Sequence, residues 1–124
     1  MPFRVLVIDD EALIRRSLSR AFAARACEVH EAADGAEGLE KWKTLSPNLV
    51  VLDVLMPRMT GPQVLSRRGE LPNAKVVLIS AYTGEYDPSR AQAMGADLFI
   101  PKPFADIFLV VDSALQLLQD GKNQ

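Results

Sequence analysis

The chain has 124 residues, with 14 Lys and Arg against 16 Asp and Glu and a formal net charge of −2. That length suits one domain around one core, and the charge balance lacks the basic excess by which proteins neutralise nucleic-acid phosphates, so direct nucleic-acid binding is not expected. The lone Cys27 cannot make an internal disulfide, no Cys/His cluster suggests zinc, and no leader-like segment or apolar run of the ~20 residues that span a bilayer is present, so the expectation is a cytoplasmic protein away from membranes.

Phe3 to Ile8 is a nearly unbroken apolar run that reads as a buried strand and meets Asp9-Asp10-Glu11 at its exit. From Ala12, the residues Ile14, Leu18, Ala21 and Phe22 recur at helical spacing, with Arg15, Arg16, Ser19 and Arg20 on the other side. Glu28 to Ala32 is a short strand, Asp34-Gly35 a turn or cap, and Ala36 to Leu45 a second helix closed by Pro47. Leu49 to Pro57 is the most telling stretch. Its apolar run fits a strand buried on both faces, so Asp53 belongs at the strand's exposed end, and Met56-Pro57 stops the ladder.

A loop through Gly61 leads to a weak third helix that starts at Pro62 and includes Val64 and Leu65. Lys75 to Ile79 is the fourth strand and exits into Ser80-Ala81; Pro88 opens a short helix ending near Met94-Gly95. Asp97 to Ile100 is the last strand, stopped by Pro101-Lys102-Pro103, and Phe104 to Leu118 the last helix, with Ile107, Val111, Ala114 and Leu118 on one face. Residues 1–119 are expected to form the domain and 120–124 a polar, frayed tail. Phe108, Leu109 and Val110 leave apolar surface beyond that helical stripe, which offers a homodimer contact through the last two helices and fifth strand.

Strands alternating with helices imply a parallel sheet with helices on both faces, a doubly wound α/β fold whose ligands gather at the carboxyl edge of the sheet. That edge carries Asp9, Asp10, Asp53, Ser80 and Lys102. Crowded carboxylates with one lysine suit a hard dication such as Mg²⁺, which takes oxygen ligands and keeps waters for phosphate oxygens.

In order and spacing, Val-Leu-Val-Ile-Asp-Asp-Glu, Leu-Asp-Val-Leu-Met-Pro-Arg-Met-Thr-Gly, Ile-Ser-Ala and Lys-Pro-Phe resemble the pattern of response-regulator receiver domains, and the chain is similar to the stand-alone chemotaxis regulators over nearly its whole length. The resemblance implies a flavodoxin-like sheet of strand order 2-1-3-4-5 and a signalling switch, not an enzyme beyond its own aspartyl phosphorylation and dephosphorylation. It implies Asp53 as phospho-acceptor and Mg²⁺ held by Asp10, Asp53 and the backbone carbonyl of Leu55, with Asp9 assisting through water. Ser80 would bind a phosphoryl oxygen, and Lys102 would pair with the phosphorylated carboxylate beside a cis bond to Pro103. Ser80 and Phe99 would form the switch pair. Leu55 and Tyr82 would flank the path of the hydrolysing water, and as neither is acidic or amide-bearing, slow hydrolysis is expected. The implied partners are a histidine kinase or phosphotransfer protein and an output protein of unknown identity.

Two other readings compete. A receiver-like interaction module could work without phosphotransfer, but such modules tend to lack a site residue and none is missing. A phosphohydrolase of the haloacid dehalogenase type would want an acid two residues after its nucleophile, where this chain has Leu55. His30, Trp42 and Cys27 read as structural residues.

Overall fold

The computed structural model describes residues 2–81 and 87–122, the last three of these by backbone alone. Five parallel strands, β1 (Arg4–Ile8), β2 (Glu28–Ala32), β3 (Leu49–Asp53), β4 (Lys75–Ser80) and β5 (Leu98–Pro101), form one sheet in the order β2-β1-β3-β4-β5. The helices are α1 (Ala12–Ala23), α2 (Gly35–Leu45), α3 (Gly61–Leu65), α4 (Pro88–Ala93) and α5 (Ile107–Lys122). This is the flavodoxin-like order expected from the sequence.

Alternation along the strands sorts the core into two layers. Leu6, Ile8, Val50, Leu52, Val76 and Leu78 pack with Trp42, Val64, Leu65 and Ala91, on the side of α2, α3 and α4. Val5, Val7, Leu49, Val51, Val77 and Ile79 pack with Leu18, Ala21, Phe22, Val111 and Ala114, on the side of α1 and α5. Because β1, β3 and β4 are buried on both faces, their sequences are continuous apolar runs rather than alternating ones.

Several boundaries differ from the sequence reading. The last helix starts at Ile107 rather than Phe104, where the Asp106 carboxylate accepts from the Phe108 amide, and it runs on to Lys122, past Asp120 where a frayed tail was expected. Val110 faces the core; Phe108 and Leu109 are exposed, and Phe108 lies beneath the Arg25 guanidinium at 4.7 Å. A 3-10 turn at Arg68–Glu70, unforeseen in the sequence, follows α3. The three residues read as structural have ordinary roles: Trp42 is buried and its indole donates to the Pro72 carbonyl, His30 lies 2.9 Å from Glu28, and Cys27 is half-buried.

Candidate functional site

The exits of β1 and β3 build the acidic wall. Their register pairs Ile8 with Leu52, so the next residues, Asp9 and Asp53, leave the sheet side by side. Asp9 still belongs to the ladder, since its amide donates to the Ala32 carbonyl at 3.1 Å, and its side chain is fully buried. Asp10, one residue further, is exposed. One carboxylate oxygen from each of Asp9, Asp10 and Asp53 falls in a group whose members all lie within 4.8 Å of one another.

The opposite wall comes from β4 and β5. The Lys102 amide donates to the Ser80 carbonyl at 2.8 Å, which continues the β4–β5 pairing beyond Ser80 and Pro101 and fixes where the lysine leaves the sheet. The peptide bond from Lys102 to Pro103 is cis. The lysine side chain is 6% exposed; its Nζ lies 2.9 Å from Asp9 Oδ2, 2.9 Å from Glu11 Oε1 and 3.5 Å from Asp53 Oδ1. Ser80 is fully buried at the strand end. Phe99, opposite Leu78 on β5, is half-buried against the layer formed with α2, α3 and α4. Leu55 is half-exposed just beyond β3, and Tyr82 lies outside the described residues.

The loop after β3 is pulled tightly back on the strand. The Gly61 amide donates to the Val54 carbonyl at 2.9 Å, and a Cβ on Gly61 would stand 2.6 Å from the Asp53 carbonyl oxygen. Only glycine fits that approach. Thr60 then starts α3 with a capping box completed by Gln63.

Electrostatics follow from this packing. Burial, with the Asp9 charge adding to it and Lys102 opposing, pushes the Asp53 carboxyl up to about 7. Burial alone would lower Lys102, but its contacts with Asp9 and Glu11 and the Asp53 charge outweigh that and carry it to about 12, so the ammonium stays charged. Asp9 Oδ2 is a buried oxygen whose partner is the Lys102 ammonium, in an ion pair at 2.9 Å. Three crowded carboxylates balanced by a single ammonium, one of them an acid held partly protonated, fit a hard dication, which would reverse the sign of the local field.

Sequence reasoning missed two participants. Glu11 is the hydrogen-bonded acceptor for Lys102. Arg15 donates to the Asp9 carbonyl at 2.9 Å and to Glu31 at 2.9 Å. The unbroken acid run Asp9-Asp10-Glu11 was the available signal for the first; the second depends on a contact between α1 and β2 that no local pattern announces.

Residues 5–112 match the family of the response regulator receiver domain. The chemotaxis protein CheY of Treponema pallidum is 40% identical over 106 residues, covering 82% of this chain and 74% of that protein. The chain spans less than half the length of several other curated relatives, among them the regulatory protein AtoC of Escherichia coli, of which it covers 25%. A CheY-like receiver domain protein from Methanospirillum hungatei has a similar structure, with a TM-score of 0.90, 25% identity and coverage of 99% and 98% of the two chains. So does a chain of the CheX-CheY-BeF3-Mg²⁺ complex from Borrelia burgdorferi, at a TM-score of 0.85 and 33% identity over 94% of this chain and 90% of that one. This chain belongs to the response-regulator receiver domains.

Proposed function

We propose that the domain is a phosphorylatable switch that takes a phosphoryl group from a phospho-histidine donor onto Asp53 and thereby changes its affinity for an output protein. The observation that carries this reading is the buried Asp53 carboxylate, set among Asp9 and Asp10 with the Lys102 ammonium 3.5 Å away. An Asp53 oxygen attacks phosphorus and the P–N bond of the donor breaks; the imidazole nitrogen leaves with the bonding pair and takes up a proton. The Lys102 ammonium and the Ser80 hydroxyl meet charge on the transferring oxygens. Asp10, Asp53 and the Leu55 carbonyl would hold Mg²⁺, with Asp9 assisting through water, and a dication bound there would offset carboxylate repulsion and supply positive charge for phosphoryl oxygens.

Modification would add about −1.5 to −2 charges beside Ser80 at neutral pH, and inward movement of that hydroxyl with rotation of Phe99 would carry the signal outward. The donor would be a histidine kinase or phosphotransfer protein. The Borrelia relative was solved with CheX; which output protein this chain addresses is a separate matter of its helical surface.

Incubation with acetyl phosphate and Mg²⁺, followed by intact mass, tests the reading. The wild-type chain is expected to gain one phosphoryl group and Asp53→Asn none. No gain in the wild type would leave the competing interaction module as the better account. After donor removal, Leu55→Asn is expected to shorten the phosphate's lifetime by admitting a polar group to the water path; an unchanged lifetime would remove Leu55 from that role.

A further inference from the structure

Glu11 is placed between β1 and α1, at the N-cap position of the helix, yet its side chain does not cap it. Its backbone does the structural work: the amide donates to Asp9 Oδ1 at 2.9 Å and the carbonyl accepts from the Arg15 amide at 3.0 Å. The side chain, 59% exposed, reaches over the site mouth and accepts a hydrogen bond from Lys102 Nζ at 2.9 Å, closer than the 3.5 Å between that nitrogen and Asp53.

We infer that Glu11 is a positioning residue that competes with an incoming phosphoryl group for the Lys102 ammonium, and so restrains phosphorylation of this domain. The inference rests on the phosphoryl-transfer reading above. Asp9 and Asp53 are buried, whereas Glu11 lies on the solvent side, the side from which a phosphoryl donor must arrive. A lysine has three N–H donors spread over one hemisphere. The ammonium is shared at 2.9 Å between Glu11 at the mouth and the buried Asp9, and the acceptor Asp53 has the longest of its three contacts, 3.5 Å. A phosphoryl oxygen must therefore displace the Glu11 carboxylate, and the glutamate, half in water already, swings out as it does.

Charge alone would also make Glu11 repel an anionic donor, and length separates the two effects. Glu11→Ala removes both charge and reach; Glu11→Asp keeps the charge but is one methylene too short to hold Nζ. No capping bond is lost in either, so α1 retains its start. With acetyl phosphate and Mg²⁺, both variants are expected to phosphorylate about fivefold faster than the wild type, a barrier change of about 1 kcal/mol. In the protein without added metal, the Lys102 ammonium ¹⁵N resonance is expected to move in both variants, which a purely structural role for Glu11 would not cause. Wild-type rates in both variants, or an unmoved resonance, would overturn the competition. A faster Glu11→Ala with an unchanged Glu11→Asp would also overturn it, in favour of charge repulsion. If the wild type itself takes no phosphate, the underlying reading falls and the inference with it; uptake by the wild type with unaltered variants removes the inference alone.

Discussion

Asp53 sits where a carboxylate is least comfortable, 3% exposed and next to Asp9, and its proton affinity records that. Its carboxyl titrates near about 7 in the fold against 3.8 for an ordinary aspartate, so the folded state holds the proton over a range where the unfolded chain has lost it. Stability from this group is therefore full below about pH 4 and is lost as pH rises toward 7, a drop on the order of 4 kcal/mol for a shift of this size. Urea titrations without metal across that range are expected to show the decline in the wild type and a much flatter profile in Asp53→Asn. A dication must displace the same proton, so Mg²⁺ affinity measured calorimetrically is expected to fall about tenfold per pH unit below 7. Matching profiles for wild type and Asp53→Asn would remove Asp53 as the source. At this scale the sequence was legible for residue type and not for pairing. Adjacent acids at a strand exit are visible in the letters, but that Asp9 is buried while Asp10 is exposed depends on where the β1–β2 ladder ends. The partnership of Glu11 with Lys102 joins residues 91 positions apart, beyond any local pattern.

Among the elements, the turn from β3 into α3 is the one that aims the site. Gly61 lets the chain fold back against the Asp53 carbonyl, and a methyl group there must push the loop off the strand. Gly61→Ala is expected to destabilise the domain by about 1–3 kcal/mol and to weaken Mg²⁺ binding, since the Leu55 carbonyl rides on the same loop. Denaturation midpoints and calorimetry would check both; normal values for both would show that the loop tolerates displacement. Strands were the most readable elements, because burial on both faces leaves an apolar run bounded by charges or prolines. The start of α5 was not, since Phe104 continues the apolar pattern yet only Asp106 supplies the first side-chain bond to a free amide. Five residues of α3 carry too little periodicity to be read from spacing, and its capping box is the better signal.

Across the whole molecule, one sheet is shared by two apolar layers, with β1, β3 and β4 contributing to both. Neither layer has a floor without those strands, so they should unfold together. Trp42 belongs to the layer of α2 and α3, whereas far-UV circular dichroism sees α1 and α5 as well. The two signals are expected to give one midpoint in urea, and Leu18→Ala in the other layer should lower it for both by about 2–5 kcal/mol equivalent of stability. A tryptophan transition left in place by Leu18→Ala would show that the layers are separable.

Arg15 gives that common sheet an asymmetry at its working edge. Its guanidinium ties the Asp9 carbonyl to Glu31, and the Glu31 carbonyl is in turn held by Lys41 from α2. The flank carrying Asp9 is thus an anvil, cross-braced from a first helix through two strands to a second. The opposite flank ends in a lysine whose outermost tether is a half-solvated glutamate. If Asp53 is charged as proposed, the flank braced by fewer contacts, toward β4 and β5, is the one expected to give way.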